Sequence, residues 1–279
     1  MTAPFIDPLI DPAELTESLD TVVILDATYY HPPDPERSRR DVSTLRIPGA
    51  QLFEIDEIAD TSAPLAHMMP DAERFAAAMA ELGIDGTRPV VVYDRSAAHF
   101  SAPRVWYTLR LFGVPDVRVL NGGLARWRAE GYETASGALP EREPVARQSW
   151  TPELSRVLDG SAMADTVARG GAIILDARPE GRFFGRDPEP RAGLISGHMP
   201  GARSLPFTEL TDAEGQFLAP EVLRERIGDG PERGTIVTCG SGMTACALAL
   251  GLARIGREAT LYDGSWAEWG TGDLGPITT

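Results

Sequence analysis

Cysteine is scarce in this chain. Two cysteines occur among 279 residues, Cys239 and Cys246, and they lie close together. A framework of disulfides is therefore excluded as the basis of stability, and a reducing compartment is expected. A zinc site is disfavoured as well, because none of the spacings C-x-x-C, H-x-x-H and H-E-x-x-H occurs.

Basic residues and long apolar runs are also few. Lysine and arginine together number 26 against 41 aspartates and glutamates, which gives a formal net charge of −15. A surface of this charge disfavours nucleic acids and anionic membranes as partners. No apolar run is long enough to cross a bilayer, and residues 1–15 lack the basic and apolar segments of a signal peptide. The expected location is the cytoplasm.

The remaining composition is that of a folded globular protein with a large core. Apolar residues make up 43% of the chain and charged residues 24%. A length of 279 residues is long for one compact domain and suits two domains of average size.

The two halves of the chain resemble each other. Segments of the first half recur in the same order in the second, namely "TVVILDATYY" as "GAIILDARPE", "RIPGAQLFEI" as "HMPGARSLPF", "RPVVVYDRS" as "GTIVTCGS" and "VRVLNGGLARW" as "ATLYDGSWAEW". The offset changes slowly, from 150 positions between Leu25 and Leu175 to 142 between Asn121 and Asp263. Duplicated domains that differ by loop insertions explain this drift.

Each half alternates short strands with helices. The β-branched runs at residues 22–25, 90–93 and 235–238 indicate strands, and the apolar spacing in residues 71–84 indicates a helix. This alternation predicts an α/β fold in which each half is a mainly parallel sheet with helices on both faces. Residues 137–153 are rich in Pro, Ser and charge, which indicates a linker between domains of residues 1–136 and 154–279.

One cysteine lies at the junction of a strand and a helix. The strand at residues 235–238 runs into "CGSGMTA", and an alanine-rich helical stretch follows. Gly240 and Gly242 allow a tight loop of N–H groups around the sulfur of Cys239, and the positive end of the helix adds to their effect. Both favour the thiolate, which is the reactive form. We therefore interpret Cys239 as a nucleophile and Cys246 as a core residue of the helix.

The chain resembles the tandem rhodanese-like sulfurtransferases over roughly residues 10 to 270. The resemblance lies in "LDARPEGRFFGRDPEPRAGLISGHMPGARSLPF", "SAPRVWYTLRLFG", "CGSGMTACALALG" and "YDGSWAEW". The loop "CGSGMTA" is most similar to the 3-mercaptopyruvate sulfurtransferase branch, whereas the thiosulfate branch usually has a basic residue directly after the cysteine. The resemblance implies two tandem rhodanese-like domains and no metal or organic cofactor.

The resemblance also implies a set of substrate-binding residues. Two arginines of the family bind the carboxylate and ketone of mercaptopyruvate, and Arg182 and Arg191 match them. Arginine suits this task because its planar fork pairs with a carboxylate through two hydrogen bonds. The remaining members of the set belong to the cysteine loop: Gly240, Gly242, Met243 and Thr244.

A proton relay is implied by the same resemblance. Ser241, His67 and Asp56 match a Ser–His–Asp relay of the mercaptopyruvate branch. Such a relay could protonate the departing enolate or deprotonate the thiol.

The first half is expected to be catalytically silent. Its equivalent of Cys239 is Asp94, and a carboxylate cannot form a persulfide. The loop after Asp94 lacks glycine, so no cradle of N–H groups is expected there. A phosphatase is disfavoured too, because Ala245 stands where an arginine would have to clamp the phosphate.

The expected function is sulfur transfer from 3-mercaptopyruvate through a Cys239 persulfide. The acceptor is a thiol, a thioredoxin-like protein or cyanide, and pyruvate is released. Thiosulfate is an alternative donor, although the loop offers no side-chain cation to this dianion. A non-catalytic rhodanese-like regulatory module is a second alternative, but such a module usually loses the cysteine or the glycines.

Overall fold

The computed structural model describes residues 7–231 and 234–279, which form two five-stranded parallel sheets. Residues 1–6 lie outside the described residues. The start of the first predicted domain and part of the signal-peptide expectation fall on them. In the described ranges, no helix is both long and apolar enough to span a bilayer. The same ranges contain no cluster of three or more His, Cys, Asp or Glu side chains suited to a metal ion.

The two sheets have the same strand order. The first is β1–β5–β4–β2–β3, and the second repeats this order as β6–β10–β9–β7–β8, with every pair of neighbours parallel. The strands are β1 (Leu9–Ile10), β2 (Val23–Asp26), β3 (Gln51–Leu52), β4 (Val90–Tyr93), β5 (Val117–Leu120), β6 (Val157–Leu158), β7 (Ile173–Asp176), β8 (Ala202–Ser204), β9 (Thr235–Thr238) and β10 (Ala259–Tyr262). The predicted pair of parallel α/β domains is confirmed.

Helices cover both faces of each sheet. The first half contains α1 (Pro12–Ser18), α2 (Pro35–Thr44), α3 (Ile55–Ile58), α4 (Ala72–Glu81), α5 (Ala102–Leu111) and α6 (Gly123–Ala129). The second half contains α7 (Gly160–Arg169), α8 (Glu180–Phe183), α9 (Pro220–Ile227), α10 (Ala245–Arg254) and α11 (Ser265–Trp269), with short 3-10 turns at Leu154–Arg156 and Phe207–Leu210.

The central strands are apolar because both of their faces are buried. On β2, Val23 and Leu25 pack into one hydrophobic cluster and Ile24 packs into another on the opposite face. On β9, Val237 and Ile236 divide in the same way. This burial explains why these strands are continuous apolar runs in the sequence.

The two halves share one hydrophobic core. Helix α5 of the first half packs directly against α10 of the second. Val105 and Leu109 of α5 belong to the same buried cluster as Leu248 and Leu250 of α10. Each of these helices follows the strand that leads into a domain's central loop, so their contact brings the two loops close together.

The segment between the sheets is packed rather than free. Residues 137–153 contain no helix or strand. The guanidinium of Arg46 donates to the carbonyl of Gly137 at 2.9 Å, and the ring of Trp150 lies edge-on against Phe75 with 5.9 Å between centroids. The segment therefore follows the surface of the first domain, and its exact boundaries stay a prediction.

A buried arginine connects the two halves. Arg104 on α5 is 3% exposed and donates to a carboxylate oxygen of Asp263 at 2.7 Å and to the carbonyl of Gly242 at 3.2 Å. It also donates to the carbonyl of His67. The second oxygen of Asp263 accepts the backbone N–H of Met69 at 2.7 Å. Segments far apart in the sequence therefore meet at one ion pair.

Replacement of Arg104 by methionine is expected to lower the free energy of unfolding by about 3–5 kcal/mol, because the Asp263 carboxylate is then left buried without its cation. Urea unfolding at neutral pH measures this change. The matched control is Arg40→Met, which removes an exposed ion pair with Glu36 at 3.8 Å and should cost less than about 1 kcal/mol. Equal losses in the two variants would contradict the central role given to Arg104.

Candidate active site

The predicted nucleophile lies at the start of a loop between a strand and a helix. Cys239 directly follows β9, and α10 begins six residues later at Ala245. The cysteine is 1% exposed, so it combines the burial of a core residue with a position on the central loop. A reagent must therefore enter the space beside the loop to reach the sulfur.

A serine from the neighbouring turn fixes the shape of the loop. The hydroxyl oxygen of Ser265 accepts the backbone N–H groups of Cys239 at 3.2 Å and Gly242 at 3.0 Å, and its own proton goes to the carbonyl of Tyr262 at 2.9 Å. The Ser265 hydroxyl therefore holds the start and the middle of the cysteine loop together.

The loop leaves several backbone donors free. Within the described ranges, the N–H groups of Gly240, Ser241, Met243 and Thr244 donate to no protein acceptor. The carbonyls of Cys239 and Gly240, by contrast, accept hydrogen bonds from the first turn of α11. Free N–H groups at a helix N-terminus favour an anion, as a thiolate or persulfide at this loop requires.

Two predicted loop residues, Met243 and Thr244, have buried side chains. Met243 is 3% exposed and its side chain belongs to the main hydrophobic core. Thr244 is buried and precedes the first residue of α10. Among the backbone groups of these two residues, both N–H groups are free of protein acceptors in the described ranges, and the predicted substrate contacts stay a prediction.

The two predicted arginines converge on the cysteine loop. A β-carbon placed on Gly240 would lie 3.3 Å from Nη2 of Arg182 and 3.7 Å from Nη1 of Arg191. Both guanidinium groups are thus within the length of a small molecule from Cys239. The absence of a side chain at Gly240 keeps this space open.

A buried glutamate orients one of these arginines. Glu189, whose side chain is 1% exposed, accepts from Nε of Arg182 at 3.2 Å and from its Nη2 at 2.5 Å. Glu189 also accepts from Arg178, which pairs with Asp176 at 2.7 Å. Arg191, by comparison, has no ion pair or hydrogen bond with any residue that the structure describes. Its donors are free to bind an anionic ligand.

Only part of the predicted proton relay is assembled. Nδ1 of His67 lies 2.8 Å from a carboxylate oxygen of Asp56, and its Nε2 lies 3.4 Å from the hydroxyl of Tyr29. The hydroxyl of Ser241 forms no hydrogen bond with the described residues. The structure therefore brings His67 and Asp56 together and does not join Ser241 to them.

The backbone of His67 is held in an unusual conformation. Its φ of +67° is in the left-handed region, which residues other than glycine rarely adopt. The carbonyl that this conformation presents is the one that accepts from Arg104. The same arginine contacts Gly242, so the histidine and the cysteine loop share one anchor.

The second cysteine is a core residue, as predicted. Cys246 lies in the first turn of α10, is fully buried and donates from Sγ to the carbonyl of Gly242 at 3.3 Å. Burial raises the pKa of its thiol to about 12, against a smaller opposing effect of Arg104. Cys246 therefore stays protonated at neutral pH and offers no second thiolate.

A cleft opens between the halves beside these groups. Its volume is about 470 Å³, and its walls include Tyr29, Asp56, His67 and Arg191. The histidine pair comes from the first half and the arginine from the second. A small anion in this cleft can therefore contact groups from both domains.

The equivalent loop of the first half differs from expectation. The carboxylate of Asp94 accepts the backbone N–H groups of Ser96 at 3.0 Å and of Ser101 and Ala102 at 2.8 Å each. A cradle of N–H groups thus exists without glycine, and the prediction that none would form was wrong. The loop after Asp94 and the start of α5 supply the donors, and the Asp94 carboxylate fills the position that an external anion would take.

Several residues of the site were not predicted as functional: Tyr29, Arg104, Glu189, Asp263 and Ser265. Their partners lie far away in the sequence, so local patterns carry little signal. The clearest signal is Arg104, a cation in the first turn of a helix whose other residues are almost all buried. A charge in that setting needs a partner from another element.

The chain is similar to sulfurtransferases over nearly its whole length. The model of the rhodanese-like domain matches residues 11–130 and again residues 160–271. The 3-mercaptopyruvate sulfurtransferase of Escherichia coli strain K12 is 38% identical over 263 residues, which cover 92% of each chain. The mitochondrial thiosulfate/3-mercaptopyruvate sulfurtransferase 1 of Arabidopsis thaliana is 38% identical over 275 residues, which cover 89% of this chain and 71% of the relative.

A solved structure agrees with these similarities. The crystal structure of SseA from Escherichia coli, described as a 3-mercaptopyruvate sulfotransferase with the rhodanese fold, superposes with a TM-score of 0.81. The sequence identity is 35%, and the superposition covers 94% of this chain and 100% of SseA.

Substitution of Gly242 by alanine is expected to lower the free energy of unfolding by at least about 2 kcal/mol, since a β-carbon there is both strained and crowded. The glycine has a φ of +73°, and the added carbon would lie 2.9 Å from both Nη1 of Arg104 and the carbonyl oxygen of Asp263. Urea unfolding measures the loss.

Gly256→Ala is the matched control, because this glycine has a φ of +77° with nothing within 4 Å of the added carbon. Its free energy of unfolding should fall by only about 1 kcal/mol, the cost of the backbone conformation alone. If Gly242→Ala were no less stable than Gly256→Ala, the close packing around the loop would be refuted.

Proposed function

This chain belongs to the rhodanese-like family and is a sulfurtransferase, and from this premise we propose that it transfers sulfur from 3-mercaptopyruvate to a thiol through a persulfide on Cys239. The observation that carries the proposal is the convergence of Arg182 and Arg191 on Gly240, directly beside this cysteine. A donor that combines a carboxylate, a ketone and a sulfur fits between these groups.

The arginines hold the oxygen atoms of the donor. Arg191 has no partner among the described residues, so it pairs with the carboxylate through two hydrogen bonds. Arg182, oriented by Glu189, donates to the ketone. This arrangement places the sulfur at the Cys239 loop, and such positioning supplies much of the rate.

Transfer to the enzyme breaks a carbon–sulfur bond. The thiolate of Cys239 attacks the donor sulfur, a sulfur–sulfur bond forms, and the electron pair of the broken bond enters the enolate of pyruvate. A proton added to the enolate carbon gives pyruvate. The free N–H groups of the loop stabilise the charge on sulfur before and after this step.

Transfer from the enzyme regenerates the cysteine. The nucleophile of an acceptor, a thiolate or the carbon of cyanide, attacks the outer sulfur of the persulfide, and Cys239 leaves as a thiolate. A small thiol, a thioredoxin-like protein and cyanide all have the required nucleophile. The reaction uses no metal or organic cofactor, and a reducing compartment such as the cytoplasm supplies the thiols.

Thiosulfate is a second candidate donor, which one observation of the site favours. The loop sequence lacks a cation, but Arg182 and Arg191 bring two guanidinium groups to Gly240 from elsewhere in the domain. These two cations can form ion pairs with the thiosulfate dianion. We propose it as the poorer donor, since it has no carboxylate for the bidentate pairing.

Incubation with 3-mercaptopyruvate is expected to increase the mass of the intact protein by one sulfur, about 32 Da, because the persulfide is a covalent intermediate. Mass spectrometry without reductant detects the adduct, and dithiothreitol should remove it. Cys239→Ser should gain no sulfur, whereas Cys246→Ser, which changes only the buried thiol, should gain it as the parent does. Absence of the adduct in the parent would sink the proposal.

Arg191→Lys and Arg182→Lys are expected to raise KM for mercaptopyruvate by about 10- to 100-fold, since each loses part of a charged, bidentate contact. Steady-state kinetics of pyruvate formation measures this change. Arg186→Lys is the matched control, because its exposed ion pair with Glu180 at 3.7 Å lies outside the site. A KM unchanged in both site variants would refute the carboxylate clamp.

A further inference from the structure

The histidine of the site has a hydroxyl partner that the sequence did not indicate. Nε2 of His67 lies 3.4 Å from the phenol oxygen of Tyr29, while Nδ1 is held by Asp56 at 2.8 Å. The two rings meet edge-on, with 5.0 Å between centroids and planes at 85°. A hydrogen bond of this length commonly shortens once substrate is bound. The three groups therefore form one chain of phenol, imidazole and carboxylate.

Tyr29 lines the cleft in which the donor would lie. Tyr29 and Arg191 line the same cleft of about 470 Å³, and Arg191 also approaches Gly240 beside the cysteine. Tyr29 thus lies on the side of His67 that is open to ligand. The hydroxyl of Ser241, by contrast, forms no hydrogen bond with His67 or with any other residue that the structure describes.

The surroundings keep this phenol protonated. Burial and the carboxylate of Asp56 raise the pKa of Tyr29 far above its ordinary value, and the nearby Arg191 opposes them only in part. At neutral pH the hydroxyl is therefore a proton donor and not a phenolate. An acid of this kind gives up its proton only to a strong base, and an enolate carbon is one.

Resting on the proposed function, we propose that the phenol of Tyr29 delivers the proton that the enolate carbon of pyruvate receives, and that His67, paired with Asp56, replaces that proton. The carbon–sulfur bond of the donor breaks and its electron pair enters the enolate. The Tyr29 proton then forms the new carbon–hydrogen bond, and the phenolate takes a proton from Nε2 of the protonated His67.

The proton balance of this step is closed by solvent. Cys239 releases one proton when it becomes a thiolate, and His67 takes up one proton before the transfer. No oxidant or reductant is required, because the sulfur that Cys239 gains is the sulfur that the donor loses. Asp56 stabilises the imidazolium without being protonated itself.

The two candidate donors differ in their need for this proton. When mercaptopyruvate gives up its sulfur, the leaving group is the enolate of pyruvate, which must be protonated on carbon. When thiosulfate gives up its sulfur, the leaving group is sulfite, a stable anion that contains no carbon and needs no such proton. A residue that acts as the proton donor therefore affects one donor and spares the other, whereas a residue that merely supports the site affects both.

Tyr29→Phe tests the assignment, because it removes the hydroxyl and keeps the ring. Single-turnover pyruvate formation from mercaptopyruvate is expected to fall about 100-fold, the size of a typical general-acid contribution, while the half-saturating concentration changes by less than about twofold. Loading of Cys239 from thiosulfate, followed by intact mass, should keep its rate within about twofold of the parent's. If thiosulfate loads the parent too slowly, inorganic polysulfide is used, since its leaving group is also a sulfur anion.

Tyr30→Phe is the matched control. This neighbouring phenol donates to Asp41 and forms no hydrogen bond with the site residues that the structure describes, so both donors should react at the parent's rates. Parent-like turnover of mercaptopyruvate by Tyr29→Phe would overturn the assignment, as would an equal loss with both donors. A parent protein that gains no sulfur from mercaptopyruvate would instead overturn the proposed function, so the two failures are distinguishable.

Discussion

The active site depends on the buried ion pair between Arg104 and Asp263. Arg104 lies on helix α5 of the first domain, and its guanidinium donates to Asp263 and to the carbonyl of Gly242 in the second domain. The same group binds the carbonyl of His67. A single buried charge therefore sets the separation between the cysteine loop and the histidine. Such a pair tolerates little displacement, because each buried charge loses its oppositely charged partner when they separate.

The two halves have the same architecture but differ in what binds the N–H groups of their central loops. Each sheet has its central strand followed by a loop and a helix, and both loops gather backbone N–H groups. In the first half the carboxylate of Asp94 occupies these groups, so the loop is complete without a ligand. In the second half the N–H groups near Cys239 stay available. One copy of the fold thus satisfies its anion site internally, and the other leaves it open to sulfur chemistry.

Charge within the site is divided between fixed and free groups. Glu189 compensates Arg178 and orients Arg182, while Arg191 keeps its donors unpaired among the described residues. The histidine side of the cleft carries a carboxylate and a phenol. A donor molecule that spans the cleft would therefore meet cations at its oxygen atoms and a proton source at its carbon. This division requires both domains, since neither half contains both sets of groups.

The sequence by itself determined the fold and the duplication, and it indicated Cys239 as the nucleophile. Continuous β-branched runs indicated strands buried on both faces, recurring segments revealed two copies, and the setting of Cys239 between a strand and a helix is a local pattern. Arg182 and Arg191 were predicted because they match a motif of the family that the chain resembles. Arg104, Ser265 and Tyr29 were not, and the N–H groups around Asp94 were missed. Only the tertiary structure decided these features, because they depend on contacts such as that between Arg104 and Asp263, which lie 159 residues apart. Local propensity and spacing carry no information about which distant side chains a packed core brings within hydrogen-bond distance.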